Sequence, residues 1–273
     1  MLDVFNITGQ QDNVRIYYAI SGLNNWQAWQ KPRGCKFIWM MCIGAGAGGQ
    51  TTGTTSTGFG GGSGAVTRAL FPANVLPDTL YVQPGIGASN TAGGRSFVST
   101  ISNSTTATNL VCVSGNTQAG TGGNMQLGET VATAVSANLL NLGTFTSIAG
   151  INQPNTATIT PLTTTITCPG GNGGTPSTSV GSNIASVDLG NFTTPNISGG
   201  TVIGAAGTGD PGITFWKPFI SLGGAGGNSN NAGVGGTGGN GGIGSGGGGC
   251  GGGTSGAAVG GKGGDGLVII ATF

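Results

Sequence analysis

Between Gly223 and Gly266, 25 of 44 residues are glycine, and this tract limits the possible folds more than any other part of the chain. Glycine loses the most backbone entropy on ordering, so a run of it reads by default as a flexible linker. Two features point to an ordered tract instead. The apolar "GLVIIATF" (266–273) follows it and needs burial, and the non-glycine residues keep a period. Val234, Thr237, Asn240 and Ile243 fall three apart with paired glycines between them, and Val259, Lys262 and Asp265 repeat the spacing. A period of three matches an extended threefold helix that rises about 3.1 Å per residue and has no internal hydrogen bonds. Each turn then offers one side-chain edge and two bare edges. Bare edges let neighbouring backbones approach, and their N–H and C=O groups must pair with one another. The expectation is a bundle of polyglycine II helices. Lys262 and Asp265 would share one edge about 9 Å apart at Cα, within reach of a weak surface ion pair. A collagen helix would need proline-rich triplets, and no proline follows Pro218.

The rest of the chain reads as strands. Residues 1–100 carry short β-rich runs ("NVRIYYAI", "KFIWMMCI", "TLYVQPG", "RSFVSTI") along with the first glycine runs. Residues 101–222 are rich in Ser, Thr and Asn, with apolar runs ("NLVCVSG", "GTFTSIAG", "ATITPLTTTITC", "GITFWKPFISL") set between turn signals such as "PGGNGG". Residues 223–273 hold the glycine tract and a closing strand, expected to form one compact unit with 1–100. Short strands between frequent turns predict a mostly β fold, an antiparallel sandwich or jelly roll with packed glycine-rich segments. Only "ETVATAVSANLLNL" (129–142) reads as a helix, against its β-branched residues. Residues 39–43 alternate poorly, which implies a strand covered on both faces.

Composition removes several chemistries. There is no histidine, hence no usual general base, zinc ligand or pH switch. Eight basic and seven acidic residues nearly cancel, and Lys31, Arg33 and Lys36 form the only local basic cluster. That reads as a solvated strand end and argues against a nucleic-acid partner. The five cysteines (Cys35, Cys42, Cys112, Cys168, Cys250) are odd in number and scattered. They read as buried free thiols made in a reducing cytoplasm, not as a disulfide or metal framework. The N-terminus lacks the pattern of a signal peptide, and the longest apolar run, 37–49, is too short to span a bilayer.

Several motifs come close to known sites. Gly44, Gly46 and Gly49 match the dinucleotide-binding turn G-x-G-x-x-G after a hydrophobic strand, but "QTTGTTSTGFGGGSG" follows where a helix is required. "GAAVGGKG" (256–263) resembles a P-loop but has Gly263 in place of the Ser or Thr that holds magnesium. Asp188 and Asp210 are a conceivable carboxylate pair of unfixed separation. Trp26, Trp29, Trp39, Tyr17 and Tyr18 could make a sugar-stacking surface or ordinary strand core. No catalytic, cofactor-binding or metal-binding residue is assigned.

"WQKPRGCKFIWMMCIGAGAGG" has the form W-x-x-P-x-G, hydrophobic strand, G-x-G-x-G-G. With "GFGGGSGAVTRALFPANVLPDTLYVQPGIG" and the terminal "GGKGGDGLVIIATF", it resembles the glycine-rich domains of bacteriophage virion proteins, found mainly in tail fibres and surface spikes. The likeness covers about residues 26–100 and 199–273. The glycine tract also resembles the distal adhesins of T-even-like phages, whose polyglycine II sandwich carries receptor-contacting loops. The resemblance implies a non-enzymatic structural protein on the virion surface, assembled in the host cytoplasm without a cofactor and commonly as a homotrimer. Its partners would be other virion proteins and a host receptor, either a glycan or an outer-membrane protein, with no membrane insertion. The Ser/Thr/Asn loops 51–58, 101–109, 172–183 and 228–232 would then meet the host. A capsid decoration protein without a receptor role is the alternative. Ice binding is a third, but the edge Val234, Thr237, Asn240, Ile243 is mixed in size and polarity.

Overall fold

Two kinds of extended backbone divide the protein, hydrogen-bonded β-strands at one end and threefold glycine helices at the other. The computed structural model describes residues 13–20, 26–52, 57–115, 142–148, 150, 158–159, 166–174, 180–186, 188, 192–201 and 206–273. Among these the strands are β1 (Val14–Tyr18), β2 (Gln27–Gln30), β3 (Phe37–Ile43), β4 (Val66–Pro72), β5 (Thr79–Gln83), β6 (Phe97–Ser99) and β7 (Leu110–Val113). They continue with β8 (Thr144–Ile148), β9 (Thr158–Ile159), β10 (Asn183–Ile184), β11 (Thr214–Trp216), β12 (Phe219–Ser221) and β13 (Leu267–Thr272). The predicted helix at 129–142 lies outside the described residues apart from Leu142. Three unpredicted strands appear. β2 gives only Trp29 to the core, β4 is disguised by its Arg68 and Pro72, and β10 is only two residues long.

The fold is mostly β, as expected, and its antiparallel sheets pack as a sandwich. One sheet runs β1-β13-β3-β4-β8, the other β2-β5-β6-β7. Alternation along β3 sends Ile38, Met40 and Cys42 between the sheets, where they meet Trp29, Leu80, Val82, Val98 and Cys112. The other face of β3 carries Met41 and Ile43, which join Val66, Leu267 and Ile269 beneath Ile166, Trp216, Phe219 and Ile243. Cover on both faces explains why β3 and β13 read as nearly continuous apolar runs instead of alternating.

Past β3 the chain enters the glycine bundle, whose centre is the segment Ser245–Gly252. Its N–H groups point in three directions in turn. Ser245, Gly248 and Gly251 donate to Gly242, Gly239 and Gly236 at 2.9, 2.8 and 2.9 Å. Gly246, Gly249 and Gly252 donate to Cys168, Gly171 and Gly174 at 2.9, 2.8 and 3.0 Å, while Gly247 and Cys250 donate to Ala47 and Gln50 at 3.0 and 3.2 Å. Three more segments donate inward. Gly58 and Gly61 reach the carbonyls of Cys250 and Gly247; Gly224, Gly227 and Asn230 reach Gly246, Gly249 and Gly252; Gly261 and Gly264 reach Gly248 and Ser245.

Six segments therefore surround one, and they also bond to each other in a closed ring. Ala47 donates to Gly62, Gly170 to Gly61, Gly171 to Gly224, Gly239 to Ala225, Gly241 to Lys262 and Gly46 to Gly264. This is the hydrogen-bonded polyglycine II arrangement that the period of three implies. Side chains are excluded from the contacts: a Cβ built on Gly248 would overlap the carbonyl of Ala225. At the end nearest the sandwich, Gly244 turns the chain into the centre with φ +67°, a left-handed conformation that costs glycine little.

Candidate interaction surface at the bundle tip

The directions of the segments decide where their connections lie. The bundle segment after β3 runs away from the sandwich from Gly44 to Gln50, and residues 168–174, 224–230 and 245–252 run the same way beside it. The chain thus leaves the bundle at Gln50, Gly174, Asn230 and Gly252, all at the end far from the sandwich. Gly200, which bonds to Gly226 and receives Gly181, brings a fifth exit to the same region.

This tip is built from short, uncharged polar residues. Thr52 is fixed by its N–H and Oγ1 against the Cys250 Sγ, at 3.2 and 3.1 Å. Asn230 holds the next turn: its Nδ2 donates to the Val234 carbonyl and its Oδ1 accepts from the Ala232 N–H, both at 3.0 Å. Thr254 N–H ties the last connection to the Gly233 carbonyl at 2.9 Å. Outside these anchors Asn231, Ala232, Thr254, Ser255 and Ala257 are exposed.

Of the four loops expected to face a host, 51–58, 172–183 and 228–232 are rooted at this tip. The fourth, 101–109, connects β6 to β7 at the far end of the sandwich, the opposite pole. Residues 253–258 and the flanks Thr201 and Ala206 were missed. Their composition resembles that of the other loops, and no local signal marks their position, because the direction of each segment is set by partners distant in sequence.

The near-miss motifs are used by the scaffold. The amides of Gly44, Gly46 and Gly49 donate to the carbonyls of Ala65, Gly264 and Gly261, so they do not converge on a phosphate position. In the P-loop look-alike, Gly261 and Gly263 donate to Gly248 and Ala88. Lys262 Nζ makes the ion pair with Asp265 at 3.1 Å, and Asp265 also accepts from the Gly87 N–H at 2.8 Å. Asp188 bridges to Thr193, while the backbone of Asp210 bonds to Ser198 and Ala225. The aromatic group is divided among different surroundings. Trp29 and Tyr17 pack between the sheets and Trp39 packs on the opposite sheet face. Trp26 packs against Phe97 and Tyr18 against Trp216, each with ring centroids 6.2 Å apart.

The thiols sit where the sequence suggested: Cys42, Cys112, Cys168 and Cys250 are buried and free, and Cys35 is half-buried. Burial pushes the Cys168 thiol up to about 12, against a smaller opposing hydrogen bond from the Gly223 backbone. Burial also raises Cys42 well above the usual thiol range, helped by its hydrogen bond and proximity to Cys112.

A family profile described as a glycine-rich domain matches residues 21–272, nearly the whole chain. No curated protein matches it.

Proposed function

Starting from the premise that the chain belongs to the glycine-rich domain family, we propose that it is a non-enzymatic structural protein of a bacteriophage virion, a surface fibre or spike component that presents the bundle tip to the host. The observation that carries this reading is the convergence of five bundle exits at one pole, rooted on a hydrogen-bonded ring and bearing short neutral side chains. Such side chains on a rigid support bind hydrogen-bonding partners with little loss of conformational entropy. A glycan or a loop of an outer-membrane protein fits that chemistry. The resemblance to virion domains supplies the context and the expected homotrimer.

Adsorption to host cells tests the reading. Purified protein should bind the cells and block phage attachment, and Ala232→Arg with Ser255→Arg, both exposed at the tip, should abolish both effects. Periodate treatment of the cells separates a glycan receptor from a protein one. Protein that neither binds nor blocks would refute the receptor role, and immunogold labelling confined to the capsid would assign it to decoration instead.

A further inference from the structure

The pole opposite the tip carries a second surface of different chemistry. On the outer face of the five-stranded sheet, the rows nearest the bundle are covered by the β11–β12 hairpin and Ile243. Among the described residues, none covers the rows farther away. Phe37 and Phe273 bond reciprocally through their backbones, and Trp39 is directly opposite Leu70, so these side chains share that face. Phe37 is 47% exposed, Phe273 42% and Leu70 38%. Arg68, opposite Met41, emerges on the same face half-exposed, and Lys36 and Arg33, in the connection that leads into β3, are exposed.

The charges are uneven. Described residues 13–83 include Arg15, Lys31, Arg33, Lys36 and Arg68 against Asp78 alone, and Asp78 is already paired with Lys31 at 2.9 Å. The described part of the bundle and its flanks balances Arg95, Lys217 and Lys262 against Asp188, Asp210 and Asp265. No carboxylate side chain among the described residues lies on the open face.

We infer that this open face is the docking surface through which the protein is seated on another protein, by a segment of that partner carrying carboxylates beside large apolar side chains. Apolar contact with Phe37, Leu70 and Phe273 supplies burial, and Arg68, Lys36 and Arg33 select for acidic flanks. A second copy of this chain fits poorly, because a twofold contact would set the same cations against one another. The inference rests on the display reading only in naming the partner a virion protein; the surface chemistry is independent of it.

The test is selection from a random-peptide library on the full-length protein, with counter-selection on the Phe37→Ser/Leu70→Ser double variant. Both positions are exposed, and an unchanged melting temperature will show that the variant is folded. Enriched peptides should combine Asp or Glu with Phe, Leu or Trp. They should bind the double variant, and separately an Arg68→Glu/Lys36→Glu variant, at least tenfold more weakly, with affinity falling as salt rises. Enrichment of neutral or basic peptides, or none that depends on this face, would overturn the inference. So would equal binding of a DNA oligonucleotide or phosphatidylglycerol vesicles, or a dimer in sedimentation velocity that the serine variant abolishes. Failed host adsorption alongside a successful selection would remove the display reading and leave the docking surface intact.

Discussion

A single methyl group at the centre of the ring should cost the protein a large share of its stability. In Gly248→Ala the new Cβ would overlap the carbonyl of Ala225, backbone that cannot rotate away. Relief requires the segment 224–230 to withdraw from the central one. That segment carries the bonds from Gly224 to Gly246 at 3.0 Å and from Gly227 to Gly249 at 2.9 Å. It is also tied on both sides to ring neighbours, through Gly171 to Gly224 and Gly239 to Ala225. Losing two buried bonds and leaving their groups without partners costs roughly 4–6 kcal/mol. The stiffer unfolded chain returns about 0.4–1 kcal/mol of that. A net loss of roughly 3–5 kcal/mol stands against a total domain stability of about 5–15 kcal/mol. The control is Val259→Ala, on a side-chain edge and 54% exposed, which should stay within about 0.5 kcal/mol of wild type. Urea unfolding followed by tryptophan fluorescence, and calorimetry, would measure both. If Gly248→Ala unfolds within about 1 kcal/mol of wild type, close backbone packing is not what holds the bundle together.

Three further outcomes are expected. Thr67 is fully buried with no hydrogen-bond partner for its Oγ1, so the near-isosteric Thr67→Val should stabilise the fold by about 1 kcal/mol and raise the urea midpoint; a lower midpoint would contradict it. Lys262→Ala removes an ion pair whose side chains are 42% and 38% exposed, and calorimetry should find a change below about 0.5 kcal/mol that vanishes at high salt. Stability should decline as pH rises from about 9 toward 12. Cys168 keeps its proton to about 12 in the fold against 9.0 ordinarily, so above pH 9 the unfolded chain binds fewer protons. The slope is up to about 1.4 kcal/mol per pH unit for this thiol, and Cys42 adds to it in the same direction. Urea midpoints from pH 8 to 11 would show it, and Cys168→Ala should reduce the slope; a flat wild-type profile would sink the argument.

The bundle was legible in the sequence because its requirement is local. A helix flanked by others must be glycine on the facing edges, and Val234, Thr237 and Asn240 mark the edge that faces outward, while Ile243 ends that row against the sheet. The strand runs β1, β3, β5 to β9 and β11 to β13 were legible for a similar reason, as short apolar stretches bounded by turns. The ring order was not legible, because each pairing joins residues far apart in sequence, such as Gly247 with Ala47. Nor was the placement of the loops, which depends on segment direction, and so 101–109 ended at the wrong pole for a shared tip. One signal was present and went unread. From Gly246 to Gly249 the period of three disappears, since four glycines run without an outward residue. A segment with no side-chain edge has no side facing solvent, and that marks it as the centre.

The same logic explains where the bundle stops. Threefold glycine helices packed on every side have no intrinsic limit to lateral growth, as an unprotected sheet edge has none. A further helix can dock only on a bare edge. On the side formed by residues 234–243 and 259–265 each turn instead projects a side chain, and Val234, Thr237, Asn240 and Val259 are exposed there. To end the packing, a side chain needs volume, and Asn240 adds a bond by accepting from the Lys262 N–H at 2.8 Å. That is why this edge tolerates a mixture of valine, threonine, asparagine and lysine, whereas the positions facing the central segment are mostly glycine. Side chains on this outer edge act as terminators of the packing.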